Sequence, residues 1–193
     1  KKKTHFYPLR IPVNENKFLK ESRYYINQII LKNLNIKKIS KNQNIVLNQS
    51  SNIFDPLKSS QYFEKTKTII VTRDPRDIFS SMKMRKSKGA PSYDVNLFCN
   101  WFLSCFDSIN FKKSIKNKDI LIVKFENFLQ NFEKENKKIC KFLSINKNFK
   151  LKKNPEIKFN LERSKNNIFK SKKNLSKFEY DLISKRLKKY LHW

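Results

Sequence analysis

The sequence predicts an α/β fold, a parallel sheet with helices on both faces. Three observations support it. Short apolar runs alternate with segments of helical periodicity. The runs are near-continuous rather than alternating, as strands covered on both faces require. No internal repeat or composition break divides the 193 residues, so residues 1–193 read as one domain, long enough for a real core.

Residues 1–13 read as irregular, with Pro8 and Pro12 as breakers. Phe18 to Leu34 reads as a helix with an apolar side of Leu19, Tyr24, Ile26, Ile29, Ile30 and Leu34. Asn44 to Leu47 is a short strand candidate, followed by a loop through Asp55 and Pro56. Thr68 to Thr72 is the next strand. It runs into Arg73 and then into a helix expected over Pro75 to about Lys83. Asp74 suits the N-cap, Pro75 the first helical position, and Asp77 the dipole of the first turn. Residues 84–93 form a basic loop containing the single glycine, Gly89. Asp94 to Lys112 is a strongly amphipathic helix, with Val95, Phe98, Phe102, Cys105, Phe106 and Ile109 at steps of three and four. Ile120 to Lys124 is a strand, and about Leu129 to Leu143 a helix. Asn146 to Asn160 is a lysine-rich loop. The last helix starts at Ser176, with Glu179 completing a capping box.

The net charge of +28 ordinarily points to nucleic acid. Here the excess is almost all lysine, 37 Lys against 7 Arg, with abundant Asn, Ile and Phe. That is the codon signature of an AT-rich genome, so a solvated basic surface is the preferred reading and a nucleic-acid-binding module the alternative. The charge would still draw in an anionic ligand. Cys99, Cys105 and Cys140 form no Cys-x-x-Cys pair and read as reduced packing residues. Trp101 and Trp193 also read as packing residues. His5 and His192 lack metal-ligand spacing, so no metal is expected. No apolar run approaches a membrane span and no signal-peptide pattern is visible, which makes the cytoplasm the expected compartment.

The chemistry concentrates at Arg73. An arginine at the carboxyl end of a strand, beside the N–H groups of a new helix, is an anion site. The Ser81 hydroxyl lies two turns along the same helix. This segment, Arg73-Asp74-Pro75-Arg76-Asp77 with Ser81, resembles the 3′-phosphate-binding segment of PAPS-dependent sulfotransferases. Ile120 to Leu129, followed by Lys141-Phe142-Leu143-Ser144-Ile145, is similar to that family's later strand, acidic corner and helix end. Arg163 to Lys170, then Leu175-Ser176, is similar to its basic loop near the carboxyl terminus. Together the three matches cover roughly residues 44–191.

The resemblance implies a P-loop NTPase-like sulfotransferase fold and PAPS as donor. It implies transfer of a sulfuryl group to a hydroxyl or amine, with carbohydrate among the possible acceptors. Arg73 and Ser81 would grip the 3′-phosphate, with weaker contributions from Phe125, Arg163 and Lys165. Phe125 stands where many relatives have Tyr, which leaves only apolar or stacking contact. Arg76 is expected to be a solvated helix-start arginine, and Glu126 to pair locally rather than act in chemistry. The family's glycine-containing 5′-phosphosulfate loop has no counterpart in the sequence, so an upstream segment carrying it is expected. The base stays open. Lys3-Thr4-His5 resembles a triplet that carries the family's base but lies far upstream of Arg73, and the expected upstream segment is the other place for it. Gln49 lies nearer the expected position, where its amide, which lacks useful basicity, could orient an acceptor or hydrogen-bond the transferring group.

Overall fold

The computed structural model describes residues 14–38, 44–48, 55–63, 65–86, 91–145 and 161–191, excluding the side chains of residues 109 and 163. The elements run α1 (Glu15–Leu34), α2 (Pro56–Ser60), β1 (Thr68–Thr72), α3 (Pro75–Arg85), α4 (Val95–Phe106), α5 (Ile109–Ser114), β2 (Ile120–Lys124), α6 (Phe125–Gln130) and α7 (Phe132–Leu143). They continue with α8 (Leu161–Lys165), α9 (Ser171–Asn174), α10 (Lys177–Arg186) and a closing 3-10 turn at Lys188–Tyr190. β1 and β2 are parallel, in register from Thr68 opposite Ile120 to Thr72 opposite Lys124. Both strands have the bounds the sequence predicts, and the helix-rich α/β class holds.

The core lies between α3, α4, α5 and α10 and is dominated by aromatics. Phe79, Phe98, Phe102, Phe106, Phe111 and Tyr190 are all buried. The five described side chains of the stripe predicted between Asp94 and Lys112, Val95, Phe98, Phe102, Cys105 and Phe106, are all buried. The segment nevertheless breaks into two helices. Asp107 closes α4, and the Ser108 hydroxyl accepts from the Phe111 N–H to start α5. A serine that can cap a new turn stops a helix even where the apolar spacing continues. The helix predicted over about Leu129 to Leu143 is observed as α7 from Phe132, with Leu129 and Gln130 ending a separate short helix, α6; Asn131 between them makes no side-chain cap. α10 carries the predicted capping box: Ser176 Oγ accepts from Glu179 N, and Glu179 Oε2 accepts from Ser176 N.

Asn44 to Leu47 is irregular rather than a strand, with Val46 90% exposed. Four residues of suitable composition make a strand only where a neighbouring strand takes up their backbone groups. α1 begins at Glu15, capped by Asn14, and buries none of its residues; Arg23 Nε donates to the Gln61 carbonyl at 2.8 Å. Cys99 and Cys105 are buried, free thiols that burial pushes above the ordinary thiol range, and Trp101 packs on the core. The segments predicted as the amino-terminal irregular region and as the lysine-rich loop at 146–160 lie outside the described residues, as do residues 87–90 of the basic loop predicted at 84–93, whose Met84 and Arg85 instead extend α3. Trp193 lies outside them too. No described helix is long and apolar enough to cross a membrane.

Asp107 also sets a pH dependence. Hydrogen bonds from Lys112 and Lys189 hold its carboxyl down at about 2. A depressed carboxylate stabilises the fold above the ordinary value and loses that contribution as pH falls toward 2. The site is about one-third exposed, so screening holds the effect to about 0.5 kcal/mol. Denaturant titrations of wild type and Asp107→Asn should show a small gap at pH 6 that closes between pH 4 and 2.

Candidate functional site

The carboxyl ends of β1 and β2 meet at one corner. β1 delivers Thr72 and Arg73; β2 delivers Phe125 and Glu126 at the start of α6. Asp74 N donates to Glu126 Oε1 at 2.9 Å, which ties the two strand ends together. Glu126 is therefore a buried cross-strand link over 52 residues, rather than the local partner expected.

The helix start at α3 is more thoroughly satisfied than the sequence implies. Arg76 N donates to Asp74 Oδ1, and Asp74 N is held by Glu126. Neither of these N–H groups is open to an anion. Arg76, expected to be solvated, has a side chain only 18% exposed. It donates to both Asp74 carboxylate oxygens and to Tyr180 Oη at 2.8 Å, and it stacks 4.9 Å from the Tyr180 ring. The Asp74 hydrogen bond raises its already high pKa despite burial. Arg76 thus fastens α10 to α3, and any anion binding at this corner falls to Arg73.

Arg73 is held from three sides. Nη1 donates to Ser81 Oγ at 3.2 Å, Nη2 donates to the Asn167 carbonyl at 2.7 Å, and the guanidinium lies 5.3 Å from the Phe125 ring centroid. A guanidinium carries five N–H donors. Nη1 and Nη2 each make one hydrogen bond to a described residue, and Nη2 also lies 3.9 Å from the Asp77 carboxylate. Three buried side-chain polar atoms among the described residues have no hydrogen-bond partner: Thr72 Oγ1, Arg73 Nε and Glu126 Oε2. Such atoms are uncommon in folded proteins, and all three belong to this corner.

Asp77 is 1% exposed and lies 3.9 Å from Arg73 Nη2. Its oxygens accept from two backbone N–H groups of the carboxyl-terminal segment, Phe169 N at 2.6 Å and Ser171 N at 2.9 Å. Phe169 has φ 59°, a left-handed conformation that costs a bulky residue about 1–2 kcal/mol. Asp77 therefore does more than favour the helix dipole.

The predicted site residues divide into three groups. Arg73, Ser81 and Phe125 are brought together. Lys165 pairs with Glu162 at 3.0 Å on α8, and the Arg163 side chain is not described, so the basic loop reaches Arg73 through the Asn167 backbone. His5 and Gln49 lie outside the described residues. Among the described residues no group of three or more His, Cys, Asp or Glu is placed to hold a metal ion. Sequence reasoning missed the contributions of Asn167 and of the Asp77 links to Phe169 and Ser171, since a backbone group carries no residue signature.

Fold and site together define an α/β protein with a cationic, aromatic-backed corner at the carboxyl ends of its parallel strands, the usual ligand position in such sheets. The chain belongs to the sulfotransferase family: the model described as "Sulfotransferase family" matches residues 12–148, well over half of the chain. That match takes in α1, ahead of the region where the motifs lie, and ends before α8. No curated protein and no solved structure matches the chain.

Proposed function

We propose that this chain transfers a sulfuryl group from PAPS to a hydroxyl or amine, with Arg73, Ser81 and Phe125 holding the 3′-phosphate end of the donor. In such a transfer the bond between sulfur and the phosphate oxygen breaks, and a bond from sulfur to the acceptor oxygen or nitrogen forms. Adenosine 3′,5′-bisphosphate leaves, and the acceptor proton passes to a base. Binding the bisphosphate orients the phosphosulfate for in-line attack, so a grip distant from the reacting atoms contributes to rate by positioning. His5 and Gln49 remain the candidates for the group facing the acceptor.

One observation carries this reading. The Arg73 fork is fixed between Ser81 and the Asn167 carbonyl at the carboxyl ends of the parallel strands, with its Nε buried and without a hydrogen-bond partner among the described residues. A planar fork of that kind suits a phosphate oxyanion. Family membership supports the same class of reaction. The test is calorimetric titration of the wild-type chain with 3′,5′-ADP and with 5′-AMP, which lacks the 3′-phosphate. The 3′-phosphate is expected to contribute roughly tenfold to a hundredfold in affinity, as charge-assisted hydrogen bonds do. Equal affinities would remove the assignment. Equally tight binding of mixed-sequence RNA, with a steep salt slope, would favour the nucleic-acid reading instead.

A further inference from the structure

We propose that Asp77 is the positioning residue of the phosphate corner, acting through a strap formed by residues 167–171. The inference rests on the reading of Arg73 as a phosphate ligand. Asp77 is buried within α3, and nothing in the transfer chemistry needs it there. Its two oxygens nevertheless hold the Phe169 and Ser171 N–H groups. Between these anchors and α8 lies Asn167, whose carbonyl takes one Arg73 Nη2 hydrogen at 2.7 Å. The same carboxylate sits 3.9 Å from that nitrogen.

Two further features indicate that the strap is held rather than merely resting. Phe169 is 56% exposed, so packing of its ring does not explain its left-handed backbone at φ 59°. The short hydrogen bond from its N–H to Asp77 does. In addition, a guanidinium on a flexible stem loses orientation unless its donors are pinned. Ser81 pins Nη1 from α3, while only the strap pins Nη2 by hydrogen bond among the described residues. Releasing the strap would leave Arg73 present but poorly aimed.

Charge alone predicts the opposite effect, which makes the inference testable by sign. Removing a carboxylate 3.9 Å from Arg73 should strengthen anion binding if Asp77 acts only through its field. A positioning role predicts weaker binding. In Asp77→Asn the amide NH2 faces one backbone N–H donor, so one strap anchor is lost. In Phe169→Pro the other partner is removed at an exposed position, because proline has no N–H and cannot adopt φ 59°. That variant leaves Asp77 and the core untouched.

The experiment titrates 3′,5′-ADP and 5′-AMP into wild type, Asp77→Asn, Phe169→Pro and Arg73→Ala, with melting temperatures measured in parallel. Asp77→Asn and Phe169→Pro are each expected to weaken 3′,5′-ADP about tenfold while leaving 5′-AMP unchanged. Unchanged or tighter 3′,5′-ADP binding by Phe169→Pro overturns the strap, even if Asp77→Asn does not fold. Equal loss for both nucleotides also overturns it, since that marks a general structural defect. Equal binding of 3′,5′-ADP by wild type and Arg73→Ala instead removes the phosphate corner itself, and the strap's role with it.

Discussion

Arg73→Ala should weaken 3′,5′-ADP binding by about a hundredfold. The estimate follows from the number of interactions lost. Alanine removes the positive charge, the guanidinium fork held by Ser81 and the Asn167 carbonyl, and the cation 5.3 Å from the Phe125 ring, which in the proposed reading are what the 3′-phosphate meets. Hydrogen bonds to a charged group contribute about 1.5–3 kcal/mol each, and imperfect additivity brings a pair to about 3 kcal/mol. Some stability should be lost as well, because Arg73 also bonds Ser81 and the Asn167 carbonyl and lies 3.9 Å from the buried Asp77, so melting temperature is measured beside affinity. Arg73→Lys restores the charge but not the fork, and should recover only part of the affinity. Calorimetry of the three proteins at fixed ionic strength checks this. Full recovery by lysine would mean the site senses charge alone.

Phe98→Ala should destabilise the fold by about 3–5 kcal/mol. The side chain is fully buried and sits 4.9 Å from the Phe79 ring, 5.9 Å from Trp101 and 6.0 Å from Phe102, at the centre of the aromatic core. No neighbouring helix can close the space without disturbing several ring contacts. Against a total stability of about 5–15 kcal/mol this is a large fraction. Leu97, the next residue, is 46% exposed, so Leu97→Ala should cost within about 0.5 kcal/mol. Urea titration of both variants gives the comparison, and similar midpoints would contradict this account of the core.

What could be read from the sequence was local. β1, β2 and the start of α3 declared themselves through apolar runs and through Asp74-Pro75. The pairing of Arg73 with Ser81 was legible because both lie on one strand-to-helix segment, eight residues apart. Three features were not legible. Asn44 to Leu47 has strand composition, but composition does not say whether a partner strand exists. The break at Asp107 and Ser108 is hidden by apolar spacing that continues across it. The links from Arg76 to Tyr180, from Asp77 to Phe169 and from Arg73 to Asn167 span 104, 92 and 94 residues. Two of them end on backbone atoms, which every residue possesses. Membership of the sulfotransferase family and the position of Arg73 were therefore accessible from sequence, whereas the means by which Arg73 is held was not.

The parallel pairing of β1 with β2 has a kinetic consequence. Their facing residues are 52 positions apart, and α3, α4 and α5 all lie between them. A contact of that separation bears its loop-closure entropy before any ladder hydrogen bond forms, so the strands should zip late, after the intervening helices have collapsed onto one another. Arg73 and Phe125 lie just beyond the ends of these strands and have no common neighbour in the unfolded chain. The corner then comes into existence only at the final, cooperative step of folding. A nucleotide that binds there would find nothing to grip in any earlier species, and would act by slowing unfolding rather than by guiding the chain home.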